Sequence, residues 1–288
     1  MADLSQQTIN KRFPVTLEII PYLRDHRFEG KAVFPAVEAL ITLARCVKRH
    51  YPQAILKDQS SAIFPKILSI EQAGESLDAQ IEIEDSADGI SASLQTSIKI
   101  SNGAISRTLD HAKVTFAKRV VLSNAAMSFR TARKMENLCI QVPAVSIYRE
   151  LIPFGVSYQN ITGDLTVSKE GALADITGGT GEADDSTLGS PFVLDAAMHA
   201  ACVWGQRFAD MVPFPVGFDR RVIYKTTKKG GAYCARINPV NTGRNVLTFD
   251  AWIFDQNGLI HEIISGLQMR DITGGRMRPP MWIKDGIC

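Results

Sequence analysis

Two short stretches hold the residues whose types and spacing could do chemistry. In the first, His26 is followed by Gly30 and then by Pro35. A glycine there lets a ligand approach the backbone closely, and N–H groups of a helix opening after Pro35 would add a favourable dipole. The same residues also read as a surface histidine beside an ordinary helix start. In the second stretch, Asp195 and His199 stand at positions i and i+4, so a helix would put them on one face. From Pro191 to Trp204 all the remaining side chains are apolar. Burial disfavours the charged carboxylate, which predicts an Asp195 pKa above the usual ~3.9 and suits a general acid. Two plainer readings stand beside this one. Asp195 could be an early-helix aspartate favoured by the dipole, or Asp195 and His199 could be part of a metal site that lacks a visible third ligand. If the two stretches meet, His26 and Asp195 form an acid–base pair that needs neither metal nor cofactor. That reading predicts a separation of a few ångströms at the mouth of one pocket.

The elements around these stretches must bring them together. An apolar run over Val15–Ile20 predicts a strand. Beyond Pro35, the apolar residues Val37, Leu40, Ile41, Ala44 and Val47 recur at three- and four-residue steps, predicting a helix from Ala36 to Arg49. Strands are expected at Gln80–Glu84, Ser91–Ile100 and Arg107–Lys118, with tight turns at Asp85–Gly89 and Ser101–Gly103. Hairpin links of this kind make an antiparallel sheet, and the helix must cover one face of it. The second half repeats the plan. Strands at Gly163–Ser168 and Ala172–Thr177 precede a loop at Gly178–Ser190 and a helix at Pro191–Met211. Further strands follow near Val222–Thr226, Ala232–Ile237, Val246–Phe254 and Leu259–Arg270. The polar segment Val121–Val145 reads as the connection. The expectation is an α+β chain of two halves, roughly residues 1–135 and 136–288, each with an antiparallel sheet around a long helix.

Composition narrows the function classes. The chain has 288 residues, 45% hydrophobic and 22% charged, which fits a folded globular protein and excludes disorder. Thirty-two basic against thirty acidic residues leave +2, too balanced for a chain devoted to nucleic acid. No apolar run approaches the ~20 residues of a membrane span, and the residues before Phe13 lack a signal-peptide core, so a cytoplasmic protein is expected. Five scattered cysteines with no paired spacing predict free, mostly buried thiols. One basic run, Arg220–Lys229, holds five cations and no acid. It reads either as a solvated strand end or as a surface for an acidic partner.

The motifs, in order, resemble the dehydratase domains of polyketide and related fatty acid synthases. His26, Gly30 and Pro35 fit that family's first motif, and Asp195 with His199 fits its second. The stretch Phe154-Gly155-Val156-Ser157-Tyr158-Gln159 resembles a third, and Pro213–Val216 and Asn257–Leu259 with Gly266-Leu267 resemble later segments. The resemblance runs from about Phe13 to Ile272 and implies a double hotdog fold. It implies His26 as the base for the α-proton of a β-hydroxyacyl thioester and Asp195 as the acid for the departing hydroxyl. His199, Gly30 and Pro35 would support them, with Phe154, Gly155 and Tyr158 against the substrate. No cofactor or metal is implied. The implied partners are an acyl carrier protein, through its phosphopantetheine arm, and other synthase domains, with a homodimer open. Phe154 replaces the family's usual tyrosine, and Val156 its proline, in a loop expected to line the pocket. These departures keep other readings in play: product-template-like cyclisation, thioester hydrolysis, or a non-catalytic acyl-binding scaffold.

Overall fold

In the computed structural model, which describes residues 9–100, 105–119, 127–135, 138–180, 187–243 and 245–285, two long helices set the plan. Helix α1 (Ala36–His50) follows Pro35 at its N-cap and ends on Lys48, Arg49 and His50, cations that suit a helix C-terminus. It buries Val37, Leu40, Ile41, Ala44 and Val47, the periodic residues, and leaves a wet face. Helix α2 (Pro191–Phe208) starts with proline at its first turn and is buried without a break from Pro191 to Gln206.

Around them runs one antiparallel sheet. Its strands in chain order are β1 (Ile9–Glu18), β2 (Ile55–Ile63), β3 (Ser76–Asp85), β4 (Ile90–Ile100), β5 (Ile105–Ala117) and β6 (Ile140–Pro143). The second set is β7 (Ile161–Ser168), β8 (Gly171–Thr177), β9 (Phe214–Ile223), β10 (Ala232–Thr242), β11 (Leu247–Asp255) and β12 (Ile260–Arg270). Their spatial order is β1-β3-β4-β5-β2-β9-β12-β11-β10-β8-β7-β6. The order mirrors itself about the β2–β9 pair, so each half wraps its own helix and the two sheets fuse edge to edge.

That fusion depends on a close backbone approach. A Cβ at Gly217 would lie 2.2 Å from the Ala62 carbonyl oxygen, so only glycine fits opposite Ile63. Arg220 then clasps Asp58 with two hydrogen bonds of 2.9 and 2.7 Å across the seam. The two helices share one apolar core that takes in Leu40 and Val47 from α1 and Val193 and Ala200 from α2.

Several expected elements fall elsewhere. The first strand begins at Ile9 and stops at Glu18, before Ile20. β9 begins at Phe214, well ahead of Val222, because it pairs along β2 and β12 at once. β2 is an addition to the expected strands: its Asp58, Gln59, Ser60 and Ser61 hide the alternation. The segment expected as a plain connection carries β6 and a short helix, Phe129–Ala132, whose Phe129 and Ala132 pack on Trp252, Phe254 and Ile263. The turn expected at Ser101–Gly103 lies outside the described residues, as does part of the loop expected at Gly178–Ser190. Among the described residues, Cys46, Cys139, Cys202 and Cys234 form no disulfide. Among the described residues no helix is long and apolar enough to cross a membrane.

Candidate active site

His26 leaves a short 3-10 turn, Pro21–Asp25, and enters a small hairpin, Arg27–Phe28 with Lys31–Phe34. Its backbone is fixed at both ends, the N–H donating to Leu23 O at 3.2 Å and the carbonyl accepting from Val33 N at 3.0 Å. The imidazole packs against Phe154 at 4.3 Å and edge-on to Tyr158 at 5.0 Å, centroid to centroid. Its Nδ1 is buried with no hydrogen-bond partner, so packing rather than a bond at that atom orients the ring.

Across the seam, α2 presents Asp195, which is 5% exposed. His26 Nε2 lies 3.6 Å from Asp195 Oδ1. On the other side of the carboxylate, His199 Nε2 lies 2.9 Å from Oδ2, one helical turn along. The His199 N–H is not aimed along that line, so the contact is an ion-pair approach rather than an aligned hydrogen bond. The first half thus supplies one histidine, and the second half supplies the carboxylate and the other.

The electrostatics correct one expectation. Burial is the largest influence on Asp195 and pushes its pKa up. The close approach of the His199 imidazole, followed by that of His26, outweighs it and holds the carboxyl below its usual range. The sequence shows the apolar helix but not that two imidazoles flank the acid, which is why sequence alone points in the opposite direction.

Two residues with no signal in the motif spacing complete the site. Tyr148 Oη approaches His199 Nδ1 at 3.4 Å and accepts a 2.8 Å bond from Ile161 N–H. Asp25, next to His26, accepts from Gly155 N–H at its carbonyl (2.8 Å) and from Ser157 N–H at Oδ2 (3.0 Å). A Cβ at Gly155 would fall 2.2 Å from Asp25 Oδ1, so glycine is required for that clamp. Asp25 therefore ties the turn that carries His26 to the loop that presents Phe154.

The remaining expected residues sort clearly. Pro35 caps α1. Gly30, at φ +78°, lines a cavity of about 220 Å³ together with His26, Phe154, Asp195 and His199. Gly155 and Tyr158 line neither this cavity nor its larger neighbour. Gly155 is spent on the clamp, and Tyr158 is fully buried behind His26, between Tyr22 and Phe192. Val156 is 80% exposed and lines neither cavity.

The larger cavity, about 980 Å³, meets the small one at His26, Phe28, Phe154, Phe214 and Met277. Its lining includes Arg27, Lys66, Arg270, Arg276 and Arg278 against Asp210 and Asp271. No residue of the basic run Arg220–Lys229 lines either cavity. Two of its cations are used inside the fold, Arg220 on Asp58 and buried Arg221 on Glu262 at 2.7 Å. Among the described residues no cluster of three or more His, Cys, Asp or Glu could hold a metal ion.

Comparisons with known proteins bear on the family and the fold. Residues 145–279 match the family model described as the polyketide synthase dehydratase N-terminal domain. A hybrid PKS-NRPS synthetase, pynA, of Aspergillus niger is 23% identical over 220 residues, which is 69% of this chain but only 6% of that relative. The dehydratase domain from the CurJ module of the curacin polyketide synthase superposes with a TM-score of 0.71 at 16% identity, covering 94% of this chain and 93% of that one. A trans-AT polyketide synthase dehydratase domain from Brevibacillus brevis gives 0.69 at 19% identity, covering 91% and 93%. An N-terminal dehydratase from the difficidin assembly line gives 0.68 at 15%, covering 91% and 93%. These structures share the double hotdog fold with this chain.

Proposed function

From a chain whose residues 145–279 match the polyketide synthase dehydratase family model and whose fold is the double hotdog of such domains, we infer a 3-hydroxyacyl-thioester dehydratase acting on an acyl carrier protein. The observation that carries this reading is the 3.6 Å approach of His26 Nε2 to Asp195 Oδ1, one group from each half, beside an otherwise mainly apolar cavity. The two halves are assigned as residues 1–135 and 136–288.

Dehydration needs two proton movements, and the pair balances both. His26 Nε2 takes the proton from the α-carbon, and the electrons left behind form the double bond as the β-hydroxyl departs. Asp195 gives that hydroxyl a proton, so it leaves as water. Gly30 N–H faces the thioester carbonyl and favours the enolate-like charge. His199, steadied by Tyr148, orients the carboxyl.

The resting site keeps Asp195 ionised, so its proton must arrive with the substrate. A hydroxyl entering between His26 and Asp195 lengthens their contact and weakens the charge that holds the acid down. Burial, the largest influence on Asp195, is then less opposed, and the carboxylate takes up a proton from solvent, while the α-proton taken by His26 returns to solvent after turnover. No step calls for a cofactor.

The partner docks at the larger cavity rather than at Arg220–Lys229. A carrier protein brings an anionic phosphopantetheine arm, and the cations Arg27, Lys66, Arg270 and Arg278 surround the route inward. One structural neighbour, the dehydratase domain of PpsC from Mycobacterium tuberculosis, is in complex with C12:1-CoA, likewise an acyl thioester on a phosphorylated arm. The test is incubation with a panel of β-hydroxyacyl carrier-protein thioesters, followed by mass. Loss of one water from at least one member is expected. Hydrolysis to free carrier, or a cyclised product of unchanged mass, would move the assignment to those chemistries, and no reaction on any member would overturn it.

A further inference from the structure

The small cavity is lined along one side by a single stripe of α2. Asp195, Met198 and His199, and then Cys202, fall at three- and four-residue steps, so they follow one another down one face of the helix. Opposite the stripe stand Leu151, Ile152, Val212 and Met269, all buried and uncharged. Below Cys202 the next residue in register is Gln206, which is 1% exposed and lines no cavity. Its Nε2 donates to Leu151 O at 3.2 Å and approaches Cys202 Sγ at 3.5 Å, closing the lower end of the chamber.

Resting on the dehydratase reading, we propose that this stripe is the acyl-chain subsite and that Cys202, backed by Gln206, is its floor and sets the longest chain accepted. With the arm entering from the basic outer cavity, the acyl tail points into the smaller inner one. From Asp195 to Cys202 a helix advances about 10 Å, at ~1.5 Å per residue. An extended hydrocarbon advances about 1.25 Å per carbon, from C–C bonds of ~1.5 Å, so about eight carbons fit beyond the β-carbon. Substrates of about eleven carbons in all therefore mark the limit. The charged lining residues other than Asp195, Arg27 and Glu29, belong to the hairpin around Gly30, whereas Met198, Cys202, Leu151, Ile152, Val212 and Met269 are uncharged, so a chain ending in a carboxylate or an amine is disfavoured there by the cost of desolvating it.

The experiment separates this proposal from the dehydratase reading by measuring binding, without chemistry. Saturated alkyl pantetheine thioethers of increasing length are titrated against the wild-type chain. Affinity rises by about fourfold per methylene and stops rising at about eleven carbons. Cys202→Phe moves that break several carbons shorter and leaves the four-carbon ligand within about twofold of wild type. A ten-carbon thioether with a terminal diazirine, photolysed on the wild-type chain, labels Met198, Cys202 or Leu151. Affinity that climbs past fourteen carbons without a break, or label confined to the outer cavity or absent from these three residues, overturns the proposal. A length break with no dehydration on the substrate panel would leave the subsite standing and remove only the activity.

Discussion

Each central helix buries one carboxylate, and the two are driven in opposite directions. On α1, Glu38 is 8% exposed and accepts a 2.7 Å bond from Tyr22. Burial raises its pKa most, and the Tyr22 bond and Arg45 pull back too little, so it stays raised. On α2, Asp195 is buried as deeply, yet the two imidazoles beside it reverse the effect of burial and hold it low. Depth alone therefore does not assign a protonation state; the charge of the partners does. A phenol gives Glu38 a neutral donor, whereas His26 and His199 give Asp195 groups that can be cations. Pairs of acids pushed apart in this way mark where proton chemistry is divided, and here the pushed-down acid is the one open to a cavity.

The strongest way to break the comparison is to remove the proton carrier. Asp195→Asn keeps the shape of the side chain and should lower the dehydration rate by about 10²–10⁴-fold, with a far-UV spectrum unchanged. His26→Ala should do the same. A near-native rate in either variant would sink the assigned roles.

Removing one imidazole sharpens it. In His199→Ala, Asp195 keeps His26 but loses its nearer partner, so its pKa should move up toward the usual carboxylate range. We expect a loss of about 10²-fold in kcat/KM, from misplacement of the acid. The acid limb of the pH–rate profile should also shift to higher pH. A rate loss with an unmoved profile would mean that His199 supports packing only.

A smaller effect is expected at the other acid. Tyr22→Phe removes the donor to Glu38 Oε1 and leaves a buried acceptor unpaired, costing about 1–3 kcal/mol. Thermal melting should read this as a fall of about 2–4 °C for each kcal/mol. The activity at saturating substrate should change less than in any variant above.

The smallest effects lie in the pH dependence of stability, where the two acids should give slopes of opposite sign. The pKa of Asp195 is depressed by folding, so its stabilisation is present above about pH 4 and is lost as the pH falls toward the folded value. The pKa of Glu38 is raised, so its stabilisation is present below about pH 4 and is lost as the pH rises through the folded value. Glu38→Gln should therefore gain Tm relative to wild type between about pH 4 and pH 8, and Asp195→Asn should lose it. Parallel melting curves for both variants would show that the environments do not differ as described.

Much of this arrangement is legible without the fold, and the reasons are local. Val37, Leu40, Ile41, Ala44 and Val47 announce α1 because one face is wet and the other dry, which forces the helical period. Asp195 and His199 stand out on α2 for the opposite reason: in a helix buried all round, a polar residue has few structural excuses. β2 stays hidden because its polar Asp58 and Gln59 are buried by neighbours that only the joined sheet supplies, Arg220 among them. Asp25 and Tyr148 carry no signal, since each acts on a residue far away in the chain or across the seam.

The sequence by itself determined which residues could move protons, and which helices would carry or follow them, because spacing and local polarity are properties of neighbours along the chain. Only the tertiary structure decided what those residues experience. The pKa of Asp195 depends on His26, which approaches from the other half. The use of Gly155 depends on Asp25, and the fate of the basic run depends on Asp58 and Glu262. Electrostatic effects act through space over a few ångströms, and the chain order holds no record of those distances until the seam between β2 and β9 closes.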